Sequence, residues 1–180
     1  MADRRTGRPF VAVLMGSDSD LSTMQATFQC LEAFGIDFEA RILSAHRTPE
    51  RTRQYVREAE GRGCAVFVAA AGLAAHLAGA IAALTVKPVI GVPMDAGSLG
   101  GLDALLSTVQ MPGGVPVATV AIGRAGARNA AYLAAQMIAL NDPEIAVRLR
   151  AERSEQADQI ARKDAALADD AAAPEGVGSR

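Results

Sequence analysis

The feature that most constrains this chain is a regular alternation of short apolar runs with segments of helical periodicity. The first run, residues 10–15, is continuously apolar and ends at Gly16, a pattern typical of a strand covered on both faces of a parallel sheet. Apolar residues then recur every three or four positions, which places them on one face of a helix that stops at Gly35. These helix residues are Leu21, Met24, Phe28, Leu31 and Phe34.

The same unit repeats along the rest of the chain. Apolar or alternating runs predict four more strands, at residues 38–42, 65–71, 89–94 and 117–122. Further helices are predicted at residues 49–61, 74–84, 102–110 and 127–140. Strands that alternate with helices imply right-handed crossovers, and hence a parallel sheet with helices on both faces. We therefore predict an α/β fold of three layers, an αβα sandwich.

The length of 180 residues suits one domain with a single core. We expect residues 9–167 to form one catalytic α/β domain, preceded by a flexible N-terminus at residues 1–8. Asp142 and Pro143 open an extended C-terminal helix that is highly charged after Leu149, so it should project from the core or pack on another subunit. From residue 168 onward the tail is rich in Ala, Asp, Gly and Pro, which predicts disorder.

Composition narrows the class of ligand. Half of the residues are apolar, 21% are charged and the formal net charge is -2, so the basic excess of a nucleic-acid binder is missing and a small ligand is expected. Cys30 and Cys64 lack CxxC spacing and nearby histidine pairs, which predicts reduced thiols and no metal site. The early apolar run is too short for a signal peptide, and no uncharged apolar stretch reaches the roughly 20 residues of a membrane span. A cytoplasmic location is therefore expected.

In an open parallel sheet, ligands bind beyond the carboxyl ends of the strands, so the residues that follow each strand are the candidate site. The loop after the first strand contains Ser17, Ser19 and Asp20. Hydroxyls and backbone N–H groups at a helix start can bind phosphate, and an aspartate can accept hydrogen bonds from ribose hydroxyls. A sugar phosphate fits both features, although Ser19 or Asp20 could equally be only a helix N-cap.

The loops after the second and third strands each contain one of the two histidines in the chain. The second loop carries Ser44, His46 and Arg47. Arginine suits phosphate because its planar fork donates two hydrogen bonds, and histidine exchanges protons near neutral pH. In the third loop, Gly72 lets a ligand approach the backbone and His76 lies at the start of a helix of small residues. The alternatives are a structural loop role for His46 and, with at least equal weight, a packing role for His76.

Together these loops resemble the N5-carboxyaminoimidazole ribonucleotide mutases, the bacterial class of phosphoribosylaminoimidazole carboxylase catalytic subunits. The resemblance covers about residues 9–150 and rests on separated motifs in the family's order. They are Met15-Gly16-Ser17-Asp18-Ser19-Asp20, Ser44-Ala45-His46-Arg47-Thr48-Pro49, Ala74-Ala75-His76-Leu77, Gly91-Val92-Pro93, Val109-Gln110-Met111-Pro112 and Ala121-Ile122-Gly123. Asp18 stands at a variable position that is often basic or polar. Residues 70–73 also depart from the pattern, because many relatives carry more glycine there.

The resemblance implies a flavodoxin-like sheet and an isomerase of purine biosynthesis that converts N5-carboxyaminoimidazole ribonucleotide to 4-carboxy-5-aminoimidazole ribonucleotide. It implies that His46 is the catalytic residue, which supplies the proton for decarboxylation and later removes the proton from the ring carbon that captures carbon dioxide. It assigns substrate binding to Ser17, Ser19, Asp20, Ser44, Arg47, Gly72 and His76. It implies no metal or other cofactor, which agrees with the absence of metal-ligand spacing and of a GxxxxGK motif.

The resemblance also implies an assembly, a homo-octamer whose sites are built across subunit boundaries. The residue spacing of loop 110–114 does not decide whether it is an ordinary connection or a lid. In such an assembly this loop could cover a neighbour's pocket. The expected partners are a small ribonucleotide and further copies of the chain, with neither nucleic acid nor membrane.

The nearest alternative is the sister enzyme that carboxylates aminoimidazole ribonucleotide directly with carbon dioxide on the same fold. Arg47 and His76 favour the mutase, because the carboxylase class usually carries lysine where Arg47 stands. A flavodoxin-like module without catalytic activity, either a flavin binder or a phosphoacceptor receiver, is the alternative from another class. A receiver needs an aspartate at the end of its third strand, where residues 69–71 are alanines. A flavin site usually offers aromatic rings, yet the chain has no tryptophan and two tyrosines.

Overall fold

The structure of the chain, a computed structural model, describes residues 8–172, with side chains as far as residue 168. Within this range five strands form one sheet in the order β2-β1-β3-β4-β5, and all neighbouring strands are parallel. The strands are β1 Phe10–Met15, β2 Phe38–Ile42, β3 Cys64–Ala71, β4 Val89–Pro93 and β5 Ala118–Thr119. This order is the flavodoxin-like one, so the predicted fold class is confirmed.

The burial of each strand explains its sequence. All residues of β1 are buried, because it pairs on both edges and is covered on both faces, and its sequence is accordingly apolar throughout. β2 lies at one edge and is largely exposed. β5, at the other edge, is shorter than the predicted residues 117–122. It has a single neighbouring strand, and its ladder pairs only Ala118 and Thr119 with β4.

Six α-helices of the described chain connect and follow the strands. They are α1 Leu21–Ala33, α2 Pro49–Gly61, α3 Leu77–Ala82, α4 Leu102–Val109, α5 Gly123–Ala139 and α6 Pro143–Ala172, with a short 3-10 turn, Asp18–Asp20, before α1. α3 is shorter than its predicted residues 74–84, and α5 starts at Gly123 rather than at residue 127. Gly126 does not interrupt α5: a β-carbon there would overlap the Ala121 carbonyl, so the glycine permits close packing.

The sheet separates two apolar layers, as the three-layer prediction requires. Val11, Val13 and Met15 belong to a layer built with α1 and α5, whereas Ala12 and Leu14 belong to the layer built with α2 and α3. This division follows from the strand period of two, which sends successive side chains to opposite faces.

The C-terminal helix α6 is attached to α5 by polar contacts. The Tyr132 hydroxyl donates to Glu152 at 2.8 Å and accepts from Gln156 at 2.8 Å. Further along, Ile160 is exposed, so the end of α6 lies outside the core of this chain. The helix continues to Ala172, beyond the predicted end of the domain at residue 167, and the expected disorder of the tail stays a prediction. Residues 1–7 and 173–180, which make up most of the predicted flexible ends, lie outside the described residues.

All strands run in one direction, so the loops that follow them meet at one edge of the sheet. None of the helices within residues 8–172 combines the length and apolar character that crossing a membrane requires.

Candidate active site

A cavity of about 450 Å³ lies at the carboxyl edge of the sheet, where the loops after β1, β2, β3 and β4 converge. Every residue predicted from the sequence to form the site lines this cavity. They are Ser17, Ser19, Asp20, Ser44, His46, Arg47, Gly72 and His76. A larger groove of about 670 Å³ runs between α5 and α6, but its Arg128, Tyr132 and Gln156 side chains are engaged in joining the two helices. The smaller cavity is therefore the candidate site.

The loop after β1 is held by a reciprocal cap. The Ser17 hydroxyl accepts from the Ser19 N–H at 3.3 Å, and the Asp20 carboxylate accepts from the Ser17 N–H at 3.2 Å. Ser17 is thus the residue whose side chain caps the 3-10 turn, whereas Asp20, at the N-cap of α1, makes no capping hydrogen bond to that helix. Asp20 therefore occupies the N-cap position of α1, as one alternative suggested, but its carboxylate is hydrogen-bonded within the turn that Ser17 caps.

Asp20 is a carboxylate in an unfavourable position, with only 7% of the residue exposed. Burial raises its pKa above the ordinary value, against the opposing effects of the Ser17 N–H and the Ser19 hydroxyl. The charge of Asp18 raises the pKa further, and the charge of Arg47 lowers it. A carboxylate that is desolvated and only partly satisfied is suited to accept hydrogen bonds from a ligand's hydroxyl groups.

The loop after β2 is closed by Thr48 and presents Arg47. The Thr48 hydroxyl accepts from the Ser44 N–H at 2.9 Å and donates to the Ser44 carbonyl at 3.1 Å. Arg47 donates from Nη2 to the Gly16 carbonyl at 2.7 Å and from Nε to the Ser44 hydroxyl at 3.4 Å. The guanidinium is thereby held between the loops after β1 and β2, with further N–H donors available for an anionic ligand.

The two histidines meet across loops that are 30 residues apart in sequence. His46 Nε2 lies 2.7 Å from His76 Nδ1, and the rings stand nearly perpendicular at 81° with their centroids 4.9 Å apart. At this distance one nitrogen donates its hydrogen and the other accepts it, so the contact holds one proton between the rings. Both side chains are exposed at the cavity, which argues against a packing role for His76 in this chain.

Leu73 is a lining residue whose conformation the sequence did not predict. Its φ of 56° lies in the left-handed region, and it is the one non-glycine residue with positive φ in the described chain. That conformation costs a leucine about 1–2 kcal/mol. Because 54% of the residue is exposed, burial of the remaining surface stabilises the folded state by only about 1 kcal/mol. The two effects nearly cancel, so the fold gains little from leucine at this position.

Ala96, in the loop after β4, also lines the cavity and was missed. The rule that ligands bind beyond strand ends would have found it, since its loop directly follows Pro93 and Met94. Loop 110–114 is not among the lining residues of the described chain, and its Met111 packs against Gly79 of α3 instead.

No three His, Cys, Asp or Glu side chains within the described range are grouped to hold a metal ion, and the expected absence of a cofactor stays a prediction.

The fold and these loops agree with a family match over most of the chain. The model of the AIR carboxylase family matches residues 10–159, from β1 into α6. The chain belongs to the AIR carboxylase family.

Among its relatives, the chain is similar to proteins named N5-carboxyaminoimidazole ribonucleotide mutase. The one from Pyrococcus abyssi is 52% identical over 151 residues, which cover 84% of this chain and 86% of that protein. The one from Mycobacterium tuberculosis is 52% identical over 160 residues, which cover 89% of this chain and 91% of that protein. The crystal structure of Treponema denticola PurE matches with a TM-score of 0.81 and 32% sequence identity, covering 89% of this chain and 99% of that one.

Replacing Asp20 by asparagine should separate stability from binding. Burial raises the pKa of Asp20, so the ionised form destabilises the folded state above that pKa, and we expect Asp20→Asn to be at least as stable as the wild type near neutral pH. The advantage should shrink as the pH falls through the raised pKa and the wild-type carboxyl becomes neutral. Ligand affinity should fall, because the amide has no charge and one acceptor oxygen.

Thermal melts between about pH 4 and about pH 8, together with KM measurements, check both effects. Asp37→Asn, which removes an exposed carboxylate just before the amino end of β2 and away from the cavity, is the control and should leave KM nearly unchanged. A variant whose relative stability increases as the pH falls would contradict the assignment.

Proposed function

We propose that this chain is an isomerase of purine biosynthesis that converts N5-carboxyaminoimidazole ribonucleotide to 4-carboxy-5-aminoimidazole ribonucleotide. The observation that carries the proposal is the hydrogen-bonded pair of His46 and His76 beside Arg47 and Asp20 in one cavity. Such a site offers a proton-transfer group, an anion-binding group and a hydroxyl-binding group within one volume. The relatives from Pyrococcus abyssi and Mycobacterium tuberculosis, which each match more than four fifths of the chain, carry the name of this activity.

The polar loops supply the groups that a ribonucleotide needs. We assign the phosphate to Arg47 and the hydroxyls of Ser17, Ser19 and Ser44, since charge-assisted hydrogen bonds from a guanidinium fork are strong. Asp20 accepts from the ribose hydroxyls. A volume of about 450 Å³ is within the usual range for small-ligand sites.

In the proposed reaction His46 moves one proton twice. The imidazolium first protonates the exocyclic nitrogen as its bond to the carboxyl carbon breaks and carbon dioxide leaves. The adjacent ring carbon then attacks the carbon dioxide, and neutral His46 removes the proton left on that carbon. The protein ends in the protonation state in which it began, so the sequence of steps needs no cofactor. Gly72 and His76 lie beside His46 in the cavity and are assigned to the ring end of the substrate.

The wild-type protein should discriminate between two possible substrates. If it is a mutase, it converts the carbamate ribonucleotide faster than it carboxylates aminoimidazole ribonucleotide supplied with bicarbonate. Product formation from each substrate, measured with the same enzyme preparation, tests this. Faster turnover with aminoimidazole ribonucleotide and bicarbonate would assign the protein to the direct carboxylases instead.

His46→Asn should lower kcat by roughly 10²–10⁴-fold, the usual contribution of a positioned acid or base, while leaving folding and substrate binding intact. Arg47→Ala is the matched comparison from the neighbouring position. It should chiefly weaken binding through lost phosphate contacts and so raise KM. Steady-state kinetics and direct binding measurements separate the two effects. A His46→Asn enzyme with near wild-type kcat would refute the proton role.

We further propose that residues 9–167 act as one catalytic unit, that the chain assembles as a homo-octamer, and that it works in the cytoplasm. A single sheet and the family match support the first proposal. Leu102, Leu106 and Val109 support the second, because they form an apolar row on α4 that is about half exposed in one chain. The free thiols Cys30 and Cys64 suit a reducing compartment. An assembly of this kind would allow loop 110–114 to cover a neighbouring site.

Sedimentation velocity should therefore give the mass of eight 18.6-kDa chains. Leu106→Glu, which places a charge in the apolar row of α4, should shift the protein to smaller species. Val86→Glu is the control, because Val86 is almost fully exposed outside that row. A monomeric wild type would overturn the octamer, and an octameric Leu106→Glu variant would exclude the α4 row as its interface.

A further inference from the structure

The cavity has a polar half and an apolar half. The loops after β1 and β2 contribute serine hydroxyls, Asp20 and Arg47. The loops after β3 and β4 contribute mainly alanines and Leu73. The contact between His46 and His76 joins the two halves, since one histidine comes from each. A polar substrate and a small apolar molecule can therefore be accommodated on different sides of the same imidazole pair.

Leu73 is the one large exposed side chain on the apolar half of the described cavity. It reaches from the loop after β3 to the loop after β4, where a β-carbon at Gly97 would overlap its Cδ2 atom. The preceding residue packs on the same loop: a β-carbon at Gly72 would lie 3.0 Å from the Ala96 Cβ. The leucine side chain thus bridges two loops at the wall of the cavity.

The backbone at this position favours glycine, and the fold gains little from leucine there. Strain of this kind is concentrated at functional sites, where the surroundings hold a conformation that folding alone does not favour. Leu73 lines the cavity and is 54% exposed, so a ligand that fills the cavity would cover part of its side chain. The role of the Leu73 side chain therefore concerns the ligand-bound state.

We infer that Leu73 is the apolar wall that retains carbon dioxide in the cavity between the two halves of the reaction. The inference rests on the proposed mutase function. Once the bond between nitrogen and the carboxyl carbon has broken and the nitrogen has taken its proton, carbon dioxide is free to leave. If it escapes, aminoimidazole ribonucleotide remains and the carbon dioxide is hydrated to bicarbonate. An uncharged apolar side chain offers this gas no competing hydrogen bonds and excludes the water that would hydrate it.

The test measures how often carbon dioxide escapes. Carbamate ribonucleotide labelled in its carboxyl group is converted in a buffer that contains unlabelled bicarbonate. Two quantities are recorded: aminoimidazole ribonucleotide released per product formed, and label retained in the product. Spontaneous decarboxylation in an enzyme-free sample is subtracted. We expect Leu73→Ala and Leu73→Gly each to raise the release severalfold and to lower label retention, whereas Leu73→Met should restore values close to those of the wild type.

Stability distinguishes this role from a structural one. Glycine relieves the left-handed strain and alanine does not, so Leu73→Gly should melt above Leu73→Ala although both lack the leucine side chain. Retention should fall equally in the two variants, because both open the wall. If label retention is higher in Leu73→Gly than in Leu73→Ala, in the order of their melting temperatures, the role of Leu73 is structural. Label retention that is unchanged in both variants would also overturn the inference. A wild type that does not convert the carbamate would instead refute the proposed function itself.

Discussion

The parallel pairing of β1 with β2 and β3 fixes the geometry on which the candidate site depends. At the carboxyl end of these strands, the Leu43 N–H donates to the Met15 carbonyl at 2.8 Å and the Gly16 N–H donates to the Ala70 carbonyl at 2.9 Å. These bonds tie together the starts of the three loops that carry the candidate residues. Arg47 adds a side-chain bond to the Gly16 carbonyl at 2.7 Å. The loops are therefore anchored to one another by the sheet before any ligand binds, which reduces the entropy that binding must overcome.

The same framework explains why a histidine pair can form between distant parts of the chain. His46 follows β2 and His76 follows β3, and both strands flank β1. Strands that are neighbours of a common strand lie about 10 Å apart, a distance that two loops and two imidazoles can span. Because the pair shares one proton, any ligand group that hydrogen-bonds to His46 Nε2 must replace His76 or interact through it. Substrate binding and the proton position in the pair are thus coupled in the proposed reaction.

The bounds of a strand or helix were predicted correctly where a local sequence signal sets them. They were predicted poorly where tertiary contacts set them. β1, β2 and α2 have the predicted bounds, because burial, alternation and the Pro49 start each give a clear local signal. α5 starts earlier than predicted, since Gly126 serves contact with Ala121 rather than helix termination. The strand-end rule placed the candidate residues in one cavity, although their roles stay predictions. Neither the contact between His46 and His76 nor the backbone of Leu73 is encoded in a periodicity, so neither could be predicted.

The departures from simple folding rules are concentrated in the candidate site. Asp20 is buried in surroundings that raise its pKa, and Leu73 has a backbone conformation suited to glycine. Each would be selected against if stability alone mattered, because asparagine or glycine would fit with less strain. The two residues lie on opposite kinds of surface, one in the polar half of the cavity and one in the apolar half. The proposed reaction brings a charged ribonucleotide and an uncharged gas into one cavity. A polar and an apolar surface suit these two ligands, so the positions of Asp20 and Leu73 support that proposal.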